Sequence, residues 1–205
     1  LVGSEMCIRD RSTSPHIVTD EDTTKLMGTV LLAMLPALVA STYIFGARVL
    51  LLAAVCIVAS VGFEWIYNML AKKPQTISDL SAAVTGLLIA FNVPSSFPLW
   101  MAVIGCFVAI VVIKQLYGGI GRNFVNPAIT ARIFLFISFA AQMTTWPLPR
   151  MAAKTDAVTG PTPLALVAGG ASKSDLPSNM DMFLGFTGGS LGEVSALALL
   201  SLIHI

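Results

Sequence analysis

The stretch LSAAVTGLLIAFNVPSSFPLWMAVIGCFVAIVVI, residues 80–113, contains no charged side chain in 34 consecutive positions. As a single helix it would be about 51 Å long, whereas the hydrocarbon core of a bilayer is about 30 Å thick. Asn92 and Pro94 lie near its middle, and proline removes a backbone donor and restricts the residue before it. We therefore predict a short helix over 80–91, a break, and a full span over 97–117.

Three more apolar stretches of span length surround this one. They cover residues 26–47, 49–70 and 126–146, and the second is interrupted only by Glu64. Another apolar run begins at 188–200. The chain is thus predicted to be an all-α, polytopic integral membrane bundle with short and broken helices.

Composition supports lipid as the solvent. The chain of 205 residues is 56% hydrophobic and 11% charged, against about 25% charged in soluble domains. A net charge of +1 without clustered Lys and Arg argues against nucleic-acid binding. Cys56 and Cys106 lie in apolar runs without metal-ligand spacing, so we expect them to pack as small hydrophobic groups.

The chain divides into five regions. Residues 1–13 and 201–205 resemble translated sequencing-adapter sequence and are expected to be non-native; the first could instead be an ordinary disordered leader. Residues 14–146 form the predicted five-span bundle, and 188–200 begin a sixth span. Between them, 147–187 is a polar loop rich in Pro, Gly, Ser and Thr, and loops of this length are usually functional or disordered.

The placement of lysine and arginine predicts the orientation in the membrane. With a cytoplasmic N-terminus and five crossings, one end of the bundle collects most of the basic residues, which are Lys25, Lys72, Lys73, Lys114 and Arg122. This is the inner face by the positive-inside rule. The 147–187 loop then lies outside the cytoplasm. A re-entrant hairpin at the short third segment would weaken this bias.

Several polar residues lie at or inside the spans. Glu64 and Lys114 both lie toward the predicted inner face, where snorkelling or mutual pairing would satisfy them. Arg132 could meet a phosphate or a quinone headgroup, or hydrogen-bond a neighbouring carbonyl. Asp79 and Asn126 each precede an apolar run and are predicted helix N-caps.

The string DAVTGPTPL, residues 156–164, contains two hydroxyls beside a Gly-Pro corner. This pattern would present Thr162 on an exposed turn that a bulky phosphate donor could approach. Asp156 lies near enough to act on the hydroxyl proton or to hold a metal. Alone, the string is also compatible with an ordinary hydrophilic turn.

Four further strings, in the same order, resemble the D subunit of the Rnf-type electron transport complex and, less closely, the B subunit of the sodium-pumping NADH:quinone oxidoreductase. They are SPHI (14–17), DLSAAVTGLLIAFNVP (79–94), KQLYGGIGRNFVNPAITAR (114–132) and GGSLGEVSALA (188–198). The resemblance implies a non-autonomous subunit of an ion-translocating oxidoreductase in the bacterial cytoplasmic membrane. It also implies a whole subunit of about twice this architecture, built as two related halves in a transporter-like fold.

The family holds flavin mononucleotide (FMN) through a phosphoester to a threonine, outside the cytoplasm. Carried over, that threonine is Thr162, with Asp156, Thr159 and Gly160 as its flanking motif. Pro161 departs from the alanine usual at its position. The implied partners are the other subunits of the complex, a flavin transferase and the lipid membrane. The resemblance leaves open a second, non-covalent flavin and the choice between Na⁺ and H⁺ as the translocated ion.

A different function remains compatible with the residues. Asn126 and Pro127 are similar to the asparagine-proline boxes of water channels, and breaks occur near both Asn92 and Asn126. The chain could therefore be a solute channel or secondary transporter with these breaks at its pore. A water channel would need a second such box, which this sequence lacks.

Overall fold

A computed structural model of the protein describes residues 22–149, 159–170 and 176–204. The named elements within these ranges are all helices, and the sole β-bridge found in them joins Pro147 to Thr159. The all-α fold class predicted from the sequence is confirmed. The predictions for residues 1–13 and for Asp156 lie outside the described residues.

The first two helices are long enough to cross a bilayer. Helix α1 spans Thr23–Phe45 and α2 spans Arg48–Leu70, each with 23 residues, or about 35 Å. Both also meet the hydropathy expected of a membrane span. Gly46 joins them with φ 95°, a backbone conformation that glycine adopts without steric cost. This connection returns the chain antiparallel to α1.

The uncharged stretch divides near the predicted break. Helix α3 spans Ser81–Phe91, and α4 spans Leu99–Phe107 and continues as a π-helix over Val108–Gln115. The predicted N-cap at Asp79 is wrong. Asp79 instead ends a 3₁₀ turn, and Leu80 stands between it and α3 in a left-handed conformation with φ 57°.

The break after α3 is stabilised by a distant part of the chain. The Gly192 N–H donates to the Phe91 carbonyl at 3.0 Å, and the Leu191 N–H donates to the Val93 carbonyl at 3.4 Å. The Ser41 hydroxyl of α1 donates to the Leu191 carbonyl. Irregular backbone at membrane depth requires such internal partners, because lipid offers none.

The fifth span is interrupted where the sequence predicts a continuous helix. Helix α5 spans Pro127–Ser138 and the short α6 spans Ala140–Met143, with Phe139 outside helical geometry between them. The Asn126 side chain accepts hydrogen bonds from the Ala128 N–H at 3.0 Å and the Ile129 N–H at 3.4 Å. The predicted N-cap at Asn126 is confirmed.

Three helices follow in the remaining described residues. Within the polar loop, α7 spans Pro163–Ala168 and α8 spans Asn179–Leu184. The last helix, α9, spans Ala196–His204 and packs along α1. The loop is therefore partly helical rather than wholly irregular.

The core is built where α2 packs against α3 and α4, and where α5 packs against α3, α4 and the π-helix. Gly86 of α3 lies so close to α2 that a Cβ atom there would be 2.6 Å from the Cys56 carbonyl oxygen. Cys56 and Cys106 are fully buried and free, as predicted. On the outside, large apolar side chains such as Val58 and Ile137 are 70% and 77% exposed. An apolar outer surface on apolar helices is that of a membrane protein.

Candidate functional site

Thr162 lies at the start of α7, in the N-cap position before Pro163. Its Oγ1 accepts a hydrogen bond from the Ala165 N–H at 3.3 Å, and the residue is half-buried. The sequence predicts an exposed turn here, and the structure shows a helix cap instead. The hydroxyl is nonetheless bordered by exposed residues, Pro161 on one side and Leu164 on the other.

The residues before Thr162 attach this segment to Trp146 and Pro147, which follow α6. The Gly160 N–H donates to the Trp146 carbonyl at 3.1 Å, and Thr159 forms the bridge with Pro147. Gly188 packs against the same residue: a Cβ atom added at Gly188 would lie 3.6 Å from the Trp146 Cβ. The structure thus brings Thr159, Gly160 and Thr162 together at the end of the bundle that also contains the α6 C-terminus.

A second polar site lies inside the bundle. The Lys114 Nζ is 2.9 and 3.0 Å from the two carboxylate oxygens of Glu64. The side chains are 3% and 1% exposed. The predicted pairing is confirmed, and snorkelling is not observed because both charges are buried.

Three neutral side chains complete this pair. Gln115 and Thr76 each donate to Glu64 Oε1 at 2.8 Å, and Lys114 donates to the Ser81 hydroxyl at 2.7 Å. Lys114 and Gln115 are adjacent, and adjacent residues do not share a face of an α-helix. Both lie in the π-helix, and both side chains reach the Glu64 carboxylate. These partners were not predicted from the sequence, although Gln115 follows Lys114 directly.

A polar cavity of about 260 Å³ adjoins the buried pair. Glu64, Asn68 and Gln115 line it, with Lys73 and Asp79 also in its wall. Asn68 donates to Thr76 at 3.1 Å and so extends the network toward the loop after α2. The cavity gives the buried charges a polar approach from the predicted inner face.

A third polar cluster lies at the break after α3. The Arg132 Nη1 donates to the Asn92 Oδ1 at 2.8 Å and to the Glu193 Oε1 at 3.1 Å. The Ser190 hydroxyl donates to the other oxygen of Glu193 at 2.6 Å. The partners of Arg132 are thus side-chain oxygens, not a backbone carbonyl. Nothing in the sequence indicated Glu193 and Ser190, which lie about 60 positions beyond Arg132.

The described residues contain no cluster of three or more His, Cys, Asp or Glu side chains able to hold a metal ion.

The family model described as the NQR2, RnfD, RnfE family matches residues 10–203. The chain belongs to this family. The family resemblance predicted from the four motifs is confirmed.

Relatives within the NQR2, RnfD, RnfE family are subunits of ion-translocating complexes. The chain is 46% identical over 191 residues to the D subunit of the Na(+)-translocating ferredoxin:NAD(+) oxidoreductase complex of Acetobacterium woodii. It is 39% identical over 195 residues to the D subunit of the proton-translocating ferredoxin:NAD(+) oxidoreductase complex of Clostridium ljungdahlii. The D subunit of an ion-translocating oxidoreductase complex of Shewanella loihica is 46% identical over 147 residues.

These alignments differ in how much of each protein they cover. The first two include 92% of this chain and 59% of the relative, and the third includes 71% and 42%. The chain therefore spans about three fifths of the length of the first two family members.

Proposed function

We propose that this chain is part of a membrane subunit of an ion-translocating oxidoreductase complex and carries FMN covalently on Thr162. The names of the relatives support the complex, and the family motif supports the attachment site. Its partners would be the other subunits of the complex and a flavin transferase. When bound, FMN supplies the redox chemistry, and the protein supplies position and electrostatics.

The hydrogen bonding of Thr162 is the observation that carries this proposal. Thr162 Oγ1 acts as an acceptor toward the Ala165 N–H. A phosphoester replaces the hydroxyl proton of Thr162, and the oxygen can still accept from the Ala165 N–H. The helix cap therefore keeps its hydrogen bond when the flavin is attached. Exposed Pro161 and Leu164 leave room beside the oxygen for a bulky group. The residues present therefore fit the cofactor.

The attachment to the residues that follow α6 would fix the position of the flavin. Gly160 is held to Trp146, and Thr159 to Pro147, two and three residues before Thr162. Two ordered contacts so close to the acceptor oxygen restrict how far Thr162 can move from the bundle. A redox group there would stay near the membrane surface, where neighbouring subunits of the complex can exchange electrons with it.

The test is in-gel flavin fluorescence of the full-length protein expressed with a flavin transferase. The wild type and Thr162→Ser should give a fluorescent band after denaturation, and Thr162→Val should give none. Thr145→Val is the matched control, because it removes an exposed hydroxyl outside the motif of residues 156–162, and its band should persist. A fluorescent Thr162→Val band would overturn the site, and a dark wild-type band would overturn the cofactor.

The proposed orientation places the N-terminus in the cytoplasm and Thr162 outside it, in the cytoplasmic membrane of a bacterium. We expect a cysteine at Ser172 to react with a membrane-impermeant thiol reagent in intact cells, and a cysteine at Gln75 to be protected. Gln75 is exposed in the structure, so protection there would report on the membrane and not on burial. Cys7→Ser provides the background, since Cys56 and Cys106 are buried. The opposite labelling pattern would invert the topology.

The channel or transporter alternative gains no support from Asn126, because its side-chain oxygen caps α5 as an ordinary N-cap does. That alternative requires solute flux through this polypeptide alone in liposomes and no bound chromophore.

A further inference from the structure

The cluster of Asn92, Arg132, Ser190 and Glu193 lies at the end of α3, between the buried Glu64–Lys114 pair and the Arg48 end of α2. Helix α3 has 11 residues, so its end at Phe91 is about 16 Å from its start, against a hydrocarbon core of about 30 Å. At this depth ionisable side chains are costly and mark ion or substrate pathways by default. Arg132 and Glu193 therefore require an explanation beyond the stability of the fold.

Two interrupted parts of the chain meet at this cluster. Helix α3 ends at Phe91, and α9 begins at Ala196, with the backbone around Leu191 and Gly192 paired to the break after α3. Discontinuous helices that meet near the midplane form the ion sites of many secondary transporters. The C-terminal end of a helix carries partial negative charge, which favours a cation beside Asn92.

The oxygen atoms of the cluster converge on one positive position. Asn92 Oδ1 and Glu193 Oε1 both accept from the same nitrogen, Arg132 Nη1, at 2.8 and 3.1 Å. Ser190 holds the second carboxylate oxygen at 2.6 Å and so orients the first. A carboxylate, an amide oxygen and a hydroxyl are hard oxygen donors of the kind that hard cations prefer.

Arginine stays protonated in proteins, so its guanidinium competes permanently for these oxygens. The Arg132 side chain is 35% exposed and that of Glu193 is 59% exposed, so the pair is not enclosed by packing. A groove of about 440 Å³ reaches Asn92 and Glu193 between α1, α3 and α9. The groove is lined mostly by apolar side chains, and it leaves open a face of the carboxylate that Arg132 does not occupy.

We infer that Glu193, Asn92 and Ser190 form a binding site for a monovalent cation, for which the Arg132 guanidinium is a tethered competitor. Binding of the cation would displace Arg132, and departure of the cation would restore the pair. The carboxylate would thereby face a positive charge in both states, and the displaced guanidinium, whose side chain is already 35% exposed, would turn toward the exposed side of the cluster. This inference rests on the proposed role in an ion-translocating complex.

The charged groups around this site are few. Among the described residues that line the groove or hydrogen-bond to Glu193, the charged ones are Glu193 itself and Arg132 from α5. Helix α1 contributes Thr29, α3 contributes Asn92 and α9 contributes Leu199. Arg132 is therefore the one described cation that pairs with the Glu193 carboxylate.

The test uses the complete complex in membrane vesicles, with the electron-transfer rate measured against Na⁺ at constant ionic strength. Arg132→Gln removes the competitor and should lower the half-saturating Na⁺ concentration by about tenfold. Glu193→Gln removes the main ligand and should raise it by about tenfold or abolish saturation. Arg48→Gln is the control, because Arg48 also lies near the break, 3.4 Å from the Ser96 carbonyl, and should change nothing.

A second arm varies pH at constant Na⁺, because the relatives include both a Na⁺- and a proton-translocating complex. The site is supported if Arg132→Gln and Glu193→Gln shift the half-saturating Na⁺ concentration, or the pH dependence of the rate, in opposite directions. The arm in which these opposite shifts occur identifies the ion. Parallel shifts, or none in both arms, overturn it, since a merely structural salt bridge would affect both variants alike.

Two further measurements separate misfolding from loss of the site. The double variant Arg132→Gln/Glu193→Gln leaves no unpaired charge, and it should assemble on a native gel yet show no saturable ion dependence. Covalent flavin fluorescence on Thr162 should persist in every variant. Loss of that fluorescence already in the wild type would count against the proposed function, whereas unchanged ion dependence with the flavin present would count against this site alone.

Discussion

Replacing Lys114 by Met in the full-length protein is expected to lower the free energy of unfolding by about 3–5 kcal/mol. Lys114 Nζ contacts both oxygens of a Glu64 carboxylate that is 1% exposed. Without the ammonium, the carboxylate either stays charged in a medium of low polarity or takes up a proton. Both outcomes destabilise the fold.

The double variant Glu64→Gln/Lys114→Met should recover most of this loss. Gln at position 64 can still accept from Gln115 and Thr76, so the neutral half of the network survives. Replacing a buried ion pair by neutral groups is often nearly neutral for stability. Thermal unfolding in detergent, followed by size-exclusion chromatography of heated samples, measures all three proteins. Equal losses in the single and double variants would mean that the two charges do not interact.

Adding one methyl group at Gly86 is expected to destabilise the protein by about 1–3 kcal/mol through overpacking. A Cβ atom there would lie 2.6 Å from the Cys56 carbonyl oxygen and 2.9 Å from the Ile57 Cα. These are backbone atoms, which cannot move aside as a flexible side chain can. Gly86→Ala must therefore separate α2 from α3.

Gly62 provides the matched control for Gly86. It lies within α2, and a Cβ atom there would meet nothing within 4 Å. Gly62→Ala should raise stability by about 0.5–1 kcal/mol, because alanine loses less conformational entropy in a helix. The same thermal measurement compares both variants, and a shift of the same sign for Gly62→Ala and Gly86→Ala would contradict the helix contact described here.

Local sequence signals predicted the helices well. Asn92 and Pro94 indicated the break in the uncharged stretch because they act on the backbone beside them. Asn126 was identified as a cap for the same reason. The interruption at Phe139 was not predicted, since no proline or glycine marks it. Asp79 was misassigned because a 3₁₀ turn moves the start of α3 beyond it.

The sequence indicated only some of the residues in each polar site. Glu64, Lys114 and Arg132 stood out because charge is rare in apolar runs. Their partners did not, because Glu193 lies in a polar turn where a carboxylate is unremarkable, and only the folded chain brings it to Arg132. The family motif indicated Thr162, whereas the contacts of Thr159 and Gly160 with Pro147 and Trp146 are visible only in the structure.

Mass spectrometry of the Thr162 peptide from the natively assembled complex tests the central claim most directly. We predict a fragment ion series in which Thr162 gains the mass of FMN less one water, while Thr159 is unmodified. Recovery of the same peptide with Thr162 unmodified, from complex that is active in electron transfer, would contradict the assignment.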